Sequence, residues 1–301
     1  MIYDAIIIGG GPAGLTSALY LLRDGRKVLI IEKETVGGTA SSTPLIENYP
    51  GFKAISGSDL TSIMFDQVDE LGVDFEIEEV TDIKVDGDIK EVITEDNTYK
   101  TKTIIIASGS SYRTLGLPNE EELIGHGIHF CTACDGPFYK GKDIAIVGGG
   151  NSACINAYNM SNIASHVTIL QNLDHLTCEQ DLINKLEKCN NIDIKYNCSV
   201  KEYLSNDDSL TGLKIDVNGK EEILNLDGVF LNIGLVPQSK FVNGKLELDG
   251  RGYIVSNDGT TKAKGVFVAG DSRTKKYAQI TIACADGTIA ALDAINYLNN
   301  K

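Results

Sequence analysis

A strand–glycine loop–helix–strand pattern occurs twice in this chain, and it leaves few folds open. Tyr3 to Ile8 is an apolar run of strand length, Gly9-Gly10-Gly11-Pro12-Ala13-Gly14 follows it, Leu15 to Arg23 reads as helix, and Lys27 to Ile31 is a second apolar strand. The same order returns in Asp143 to Val147, Gly148-Gly149-Gly150-Asn151-Ser152-Ala153, a helix through about Ile163 and the strand Val167 to Leu170. Parallel strands joined through a helix bury both faces of their sheet. The pattern therefore predicts an α/β protein with two Rossmann-like, three-layer ββα nucleotide-binding domains, the second inserted into the first.

The points of insertion are legible as well. Thr103 to Gly109 is a buried strand closing on a glycine turn, with a domain crossing expected near Ser110 to Arg113. Gly228 to Gly234 repeats that design before Leu235-Val236-Pro237, where a return crossing belongs. We expect one discontinuous domain of residues 1–112 and 241–301 and an inserted domain of 113–240. Gly265 to Asp271 and an amphipathic helix from about Gln279 to Leu298 complete the outer domain.

Composition narrows the function classes. A length of 301 residues suits two ordinary domains, and 42% hydrophobic with 23% charged residues excludes disordered and fibrous chains. Lys and Arg number 27 against 42 Asp and Glu, and the net charge of −15 repels nucleic acid and anionic membrane surfaces. No apolar run approaches the roughly 18 residues of a membrane span, and Met1-Ile2-Tyr3-Asp4 lacks a basic leader, so a cytoplasmic protein is expected.

Two groups of residues carry chemistry. Gly9-x-Gly11-x-x-Gly14 between strand and helix offers backbone N–H groups to a pyrophosphate, and Glu32 at the end of the next strand can accept from ribose hydroxyls. Cys131-Thr132-Ala133-Cys134-Asp135-Gly136 reads as a redox dithiol, in which one sulfur attacks and the other resolves, with Asp135 able to shuttle a proton. Half a zinc site would need a second Cys-x-x-Cys or a histidine pair, and neither is present, so no metal is expected. His126 and His129 just upstream are either ordinary loop histidines or groups that tune a thiolate. Cys154, Cys178, Cys189, Cys198 and Cys284 read as buried small residues.

Taken together, Gly9 to Gly14, Glu47-Asn48-Tyr49-Pro50-Gly51, Cys131 to Gly136, Gly148 to Ala153 and Gly265 to Asp271 resemble low-molecular-weight thioredoxin reductase over nearly the whole chain. The resemblance implies FAD held by Gly9, Gly11, Pro12, Ala13, Gly14, Glu32, Lys33, Gly38, Thr39, Ala40, Asn48, Gly270, Asp271, Gln279 and Ile280. It implies that Cys134 faces the flavin, that Cys131 attacks the disulfide of thioredoxin, that Asp135 handles the proton, and that the protein is a homodimer. Thr39 and Ala278 stand where the family has glutamine and arginine.

The second loop departs further. Where the family grips the 2′-phosphate of NADPH with a His-Arg-Arg segment and a further arginine, this chain reads Gln171-Asn172-Leu173-Asp174-His175-Leu176-Thr177. The five arginines are 23, 26, 113, 251 and 273, so none lies between 114 and 250 to form a bidentate clamp. In this the chain is most similar to the ferredoxin-dependent flavin thioredoxin reductases of anaerobic bacteria, which implies ferredoxin as electron donor. Arg273, Lys275 and Lys276 are the candidate basic patch for that partner. An NADH- or NADPH-dependent thioredoxin reductase, with Gln171 on a ribose, a flavin dithiol oxidase using oxygen, and a flavin-bound redox sensor stay open as alternatives.

Overall fold

Successive side chains of the first strand point into two different apolar layers, and this fixes the sheet of the outer unit. The computed structural model describes residues 1–43, 45–206 and 209–301. Ile2–Ile8 (β1) passes through Pro12–Arg23 (α1) to Val28–Glu32 (β2), which pairs parallel with β1, Ala5 opposite Val28. Helix α1 starts at Pro12 rather than Leu15, because proline suits the first turn, where its missing N–H has no helical partner to lose.

Gly57–Asp69 (α2) leads to Asp74–Ile77 (β3), parallel to β2. Val80–Lys84 (β4), Lys90–Thr94 (β5) and Thr98–Ile106 (β6) follow as a meander, each antiparallel to the next. The first residues of β6 pair with β5, while the strand as a whole pairs parallel with β1. Ala5, Ile7 and Ile30 pack on the α1 side of the sheet, and Ile6, Ile8, Leu29 and Ile31 pack with Ile83 and Val92 on the other. Each such fully buried side chain contributes about 1.5–3 kcal/mol, which holds three layers together.

Ser110–Tyr112 (β7) is the outgoing crossing. The chain divides into two compact units, Met1–Ser111 with Val236–Lys301 and Tyr112–Leu235. The second contains Glu120–Leu123 (α3), Ile128–His129 (β8), Thr132–Asp135 (α4), Asp143–Val147 (β9), Asn151–Met160 (α5), His166–Leu170 (β10), Gln180–Leu186 (α6) and Ile192–Lys195 (β11). Cys198–Asn206 (β12), Ser209–Val217 (β13) and Lys220–Asn225 (β14) form a separate antiparallel meander before Gly228–Leu231 (β15). The main sheet runs β11-β10-β9-β15-β8, all parallel. Ile144 and Ile146 pack with Ala153, Cys154 and Ala157 of α5, whereas Ala145 and Val147 pack with Leu213 and Ile215 of the meander. Helix α5 stops at Met160, short of Ile163, because the N–H groups of Ile163 and Ala164 both turn back to the Met160 carbonyl.

Leu235–Pro237 (β16) pairs with β7 and brings the chain back. The return falls between 235 and 236, earlier than the expected 240/241, because Gln238 N–H donates to Gly109 O and Ser108 Oγ–H to Gln238 O. Val266–Val268 (β17) joins β6 beside Ile104–Ile106, and Ile280–Asn299 (α7) crosses α1 closely enough for Ser17 Oγ–H to donate to Gly287 O at 3.0 Å. Among the described residues no helix is long and apolar enough to cross a membrane.

Candidate active site

In the outer unit the first glycine loop is held open by its own backbone. Gly9 has φ +107°, and a Cβ there would meet Ala107 O at 2.3 Å. Gly14 lets α1 start against the loop, since a Cβ on it would lie 1.9 Å from Gly9 O. Gly11, by contrast, is open, with nothing nearer an added Cβ than Gly37 O at 3.8 Å. Glu32 reaches the loop from the end of β2: its Oε2 accepts from Gly10 N–H at 2.6 Å and its Oε1 from Glu34 N–H at 3.1 Å.

Two of the other predicted segments lie against this loop. Gly37 N–H donates to Gly10 O, so the turn Gly38–Ala40 lies beside it. Thr39 Oγ1–H donates to Ser110 O at 3.4 Å. Gly270 packs against Ala13, because a Cβ on it would meet the Ala13 Cβ at 2.9 Å, and this brings Asp271 to the start of α1. Asn48 Nδ2–H donates to Gln279 Oε1 at 3.4 Å, joining two predicted residues far apart in sequence, with Ile280 opening α7 next to them. Lys33 instead pairs with Glu79 at 3.2 Å on the surface.

The expected basic patch is not an open one. Lys275 Nζ lies 2.7 Å from Asp271 Oδ1 and 3.2 Å from Asp286 Oδ2, and Arg273 Nε lies 3.4 Å from the same Asp286 oxygen. The side chains of Arg273 and Lys275 are only 14% and 10% exposed, so their charges are spent internally. Lys276, over the ring of Tyr277, is the exposed member of the three.

In the inserted unit Cys131 and Cys134 are joined as a disulfide, Cα to Cα 5.3 Å. Cys131 caps α4: its Sγ accepts from Cys134 N–H at 3.2 Å, an N–H placed to stabilise a thiolate there once the bond opens. Asp135 ends α4 and is 7% exposed, with Oδ2 3.3 Å from His129 Nδ1. His129 Nε2 lies 2.7 Å from the Tyr139 hydroxyl. Sequence reasoning left His129 undecided and missed Tyr139, whose only signal is its position one turn past Gly136. His126 is not in this cluster: its backbone carbonyl accepts from Leu210 N–H. Of the remaining cysteines Cys154 and Cys198 are buried as expected, but Cys178, Cys189 and Cys284 are only half-buried. Burial, helped by neighbouring Cys178, pushes the Cys154 thiol well above its ordinary range.

The second glycine loop carries the expected turn, Gly148 having φ +126°. Gln171 is folded onto it: a Cβ at Gly149 would lie 2.4 Å from the carboxamide carbon. The carboxamide, only 3% exposed as a residue, gives Nε2–H to His175 O at 2.9 Å and takes Asn172 N–H on Oε1 at 3.1 Å. Gln171 is therefore occupied locally, contrary to the expectation that it could reach a ribose. Thr177 closes the same loop, N–H to Gly149 O at 2.8 Å, and Asn151 and Glu179 bond each other twice. Of the two lysines that follow this stretch, Lys185 and Lys188, Lys185 pairs with Asp181 at 2.6 Å.

A sequence model of the pyridine nucleotide-disulphide oxidoreductases matches residues 3–287. The chain belongs to that family. Thioredoxin reductase of Listeria monocytogenes is 40% identical over 302 residues, covering 99% of this chain and 94% of the relative. A 34.2 kDa protein in the rubredoxin operon of Clostridium pasteurianum is 38% identical over 301 residues, covering 99% and 98%. The crystal structure of thioredoxin reductase from Streptococcus pyogenes superimposes with a TM-score of 0.94 at 37% identity, covering 100% of this chain and 99% of that one. FAD is the cofactor of these pyridine nucleotide-disulphide oxidoreductases. The outer unit fits it: Gly11 leaves a cradle that a side chain would fill, and Asp271 Oδ1 is buried with an ion pair but no aligned hydrogen bond.

Proposed function

We propose that the chain reduces the disulfide of thioredoxin through FAD and the Cys131–Cys134 dithiol, with ferredoxin as electron donor. The observation that carries the donor assignment is the second glycine loop, occupied by the Gln171 carboxamide and without an arginine from 114 to 250 to hold a 2′-phosphate. The Clostridium pasteurianum relative is named for a rubredoxin operon, which keeps a one-electron iron protein in view as the donor class. Lys276 is the exposed cation left beside the flavin motif for an anionic partner.

Bound FAD supplies the reduction of the Cys131–Cys134 disulfide and can accept electrons one at a time. The rest belongs to the chain. Gly9, Gly11, Pro12, Ala13 and Gly14 present backbone N–H groups and the α1 N-terminus to the pyrophosphate, and Glu32 fixes the loop and the ribose. Gly38, Thr39, Ala40, Asn48, Gly270, Asp271, Gln279 and Ile280 would hold the remainder, and the α7 N-terminus would favour the negative charge of a reduced flavin. Cys131 attacks the thioredoxin disulfide, Cys134 resolves the mixed disulfide, and Asp135 moves the proton.

The test is anaerobic. Oxidised holoprotein is mixed with reduced ferredoxin, NADPH or NADH in the presence of oxidised thioredoxin, and the flavin absorbance is followed. Bleaching by ferredoxin alone is expected. Fast bleaching by either nicotinamide would overturn the donor assignment and leave a nicotinamide-dependent reductase.

A further inference from the structure

We propose that His129 is a positioning residue for the proton transfers of the Cys131–Cys134 pair, acting through Asp135. The inference rests on Asp135 being the acid–base group of the dithiol. His129 ends β8, two positions before Cys131, and is 8% exposed. Among the described residues it is the one basic side chain within 4 Å of the Asp135 carboxylate.

One tautomer satisfies every contact of this ring. Burial, reinforced by Asp135 and Asp227, pushes the Tyr139 hydroxyl up to about 12, so at neutral pH it is an O–H with a proton to give. That proton goes to His129 Nε2 at 2.7 Å, which makes Nε2 the acceptor and leaves the ring proton on Nδ1, facing Asp135 Oδ2 at 3.3 Å. The assignment follows from the hydrogen-bond network. The groups around this chain of contacts are Asp135 on α4, Tyr139 in the turn after it, Asp227 ahead of β15 and Lys142, whose Nζ lies 5.3 Å over the Tyr139 ring. Phe230 from β15 and Tyr139 hold the imidazole plane, ring centroids 5.4 and 5.3 Å away.

An apolar side chain would fill the space between Phe230 and Tyr139 without the cost of burying two ring nitrogens. The imidazole instead fixes one oxygen of a buried carboxylate and leaves the other for the dithiol. In each turnover Cys131 Sγ bonds to one substrate sulfur as the substrate S–S bond breaks, and the displaced thiolate takes a proton. Cys134 Sγ then bonds to Cys131 Sγ, the mixed disulfide breaks, and the second substrate thiolate takes a proton. Two electrons and two protons have left the enzyme dithiol, the substrate disulfide is reduced to two thiols, and the Cys131–Cys134 disulfide is restored. Asp135 relays those protons, and His129 holds it in one orientation for both steps.

The experiment uses reduced holoprotein mixed rapidly with oxidised thioredoxin, in wild type, His129→Leu, His129→Asn, Asp135→Asn and the His129→Leu/Asp135→Asn double variant. Asp135→Asn should slow exchange by about 100-fold, in the range of a lost acid–base group, and His129→Leu by about tenfold. His129→Asn, whose amide N–H can replace Nδ1–H, should stay within about threefold of wild type. The double variant should be no slower than Asp135→Asn alone, because residues that act as a unit are not additive. If His129→Leu does not fold, His129→Gln replaces it, with its amide reaching toward Tyr139 instead. Equal rates in the Gln and Asn variants, a wild-type rate in His129→Leu beside a slow Asp135→Asn, or multiplied losses in the double variant would each overturn the role of His129. A wild-type rate in Asp135→Asn would remove the underlying assignment of Asp135, and the proposal with it.

Discussion

Glu32 and Gly10 are joined at 2.6 Å, carboxylate Oε2 to backbone N–H, so the acidic residue at the end of β2 is also the clamp on the first glycine loop. Hydrogen bonds to a charged group contribute about 1.5–3 kcal/mol, or roughly a 10- to 100-fold change in an equilibrium constant. Glu32→Ala should therefore weaken FAD retention by at least about tenfold. Flavin released on gel filtration, measured against wild type, checks this; full retention would show that the clamp does not matter for the cofactor.

The two sulfurs should fail differently. Cys131→Ser should abolish transfer to thioredoxin while leaving the Cys134 thiol intact, and Cys134→Ser should block passage from flavin to dithiol. Single-turnover kinetics with chemically reduced protein separate the two, and wild-type turnover in either variant would reverse the role assignment.

Helices α1 and α7 meet at Gly287, where a Cβ would lie 2.3 Å from Ala13 O. Backbone cannot give way there as a side-chain tip can, and overpacking costs about 1–3 kcal/mol. Gly287→Ala should lower the thermal midpoint by about 2–10 °C and loosen the start of α1 next to the first glycine loop. An unchanged midpoint with full flavin content would contradict the close crossing.

Charge reversal should discriminate between neighbours. Lys275→Glu places a third carboxylate with Asp271 and Asp286 in a nearly buried cluster, and breaking such a pair costs about 3–5 kcal/mol. Lys276→Glu, on an exposed side chain, should leave the unfolding midpoint within about 0.5 kcal/mol of wild type and slow only the reaction with an anionic donor. Equal destabilisation by the two would count against the internal pairing.

Alkaline pH should weaken the inserted unit. Tyr139 is pushed up to about 12, first by burial, and Tyr203 is held above its ordinary range by burial and its bond to Glu120 at 2.7 Å. An unfolded tyrosine titrates near about 10, so the folded chain holds these protons more tightly. The resulting stability is present below pH of about 10 and is lost as pH rises through the folded values. Denaturant midpoints at several pH values should fall over that window, and Tyr139→Phe, less stable at pH 8 for want of its bond to His129, should fall less steeply. An identical slope in the variant would mean that Tyr139 does not carry the effect.

The glycine loops, Glu32 and the dithiol could be found from the chain alone because each rests on neighbours in sequence: a strand, a tight turn and a helix start. Contacts that depend on rotamers across the fold were not legible. Asp286 lies on α7, and nothing near Arg273 and Lys275 announces that it neutralises them. Gln171 reads as an open strand-end residue until its carboxamide is seen turned onto Gly149. Tyr139 and His129 meet through the backbone turn after α4, which no periodicity encodes. The exact ends of α1 and α5 shifted for local reasons, a proline-tolerant first turn and a doubled acceptor at the Met160 carbonyl.

The place of β17 and α7 has a consequence for synthesis. Strand β6 receives β17 only from residues 266–268, and α1 receives α7 only from residues beyond 280. On a ribosome adding about 5–20 residues per second, the inserted unit can close its sheet while the outer one still lacks an edge strand and a covering helix. For that interval of several seconds the apolar face of α1 and the open side of β6 are the nascent chain's exposed surfaces, and they define where a chaperone would find it.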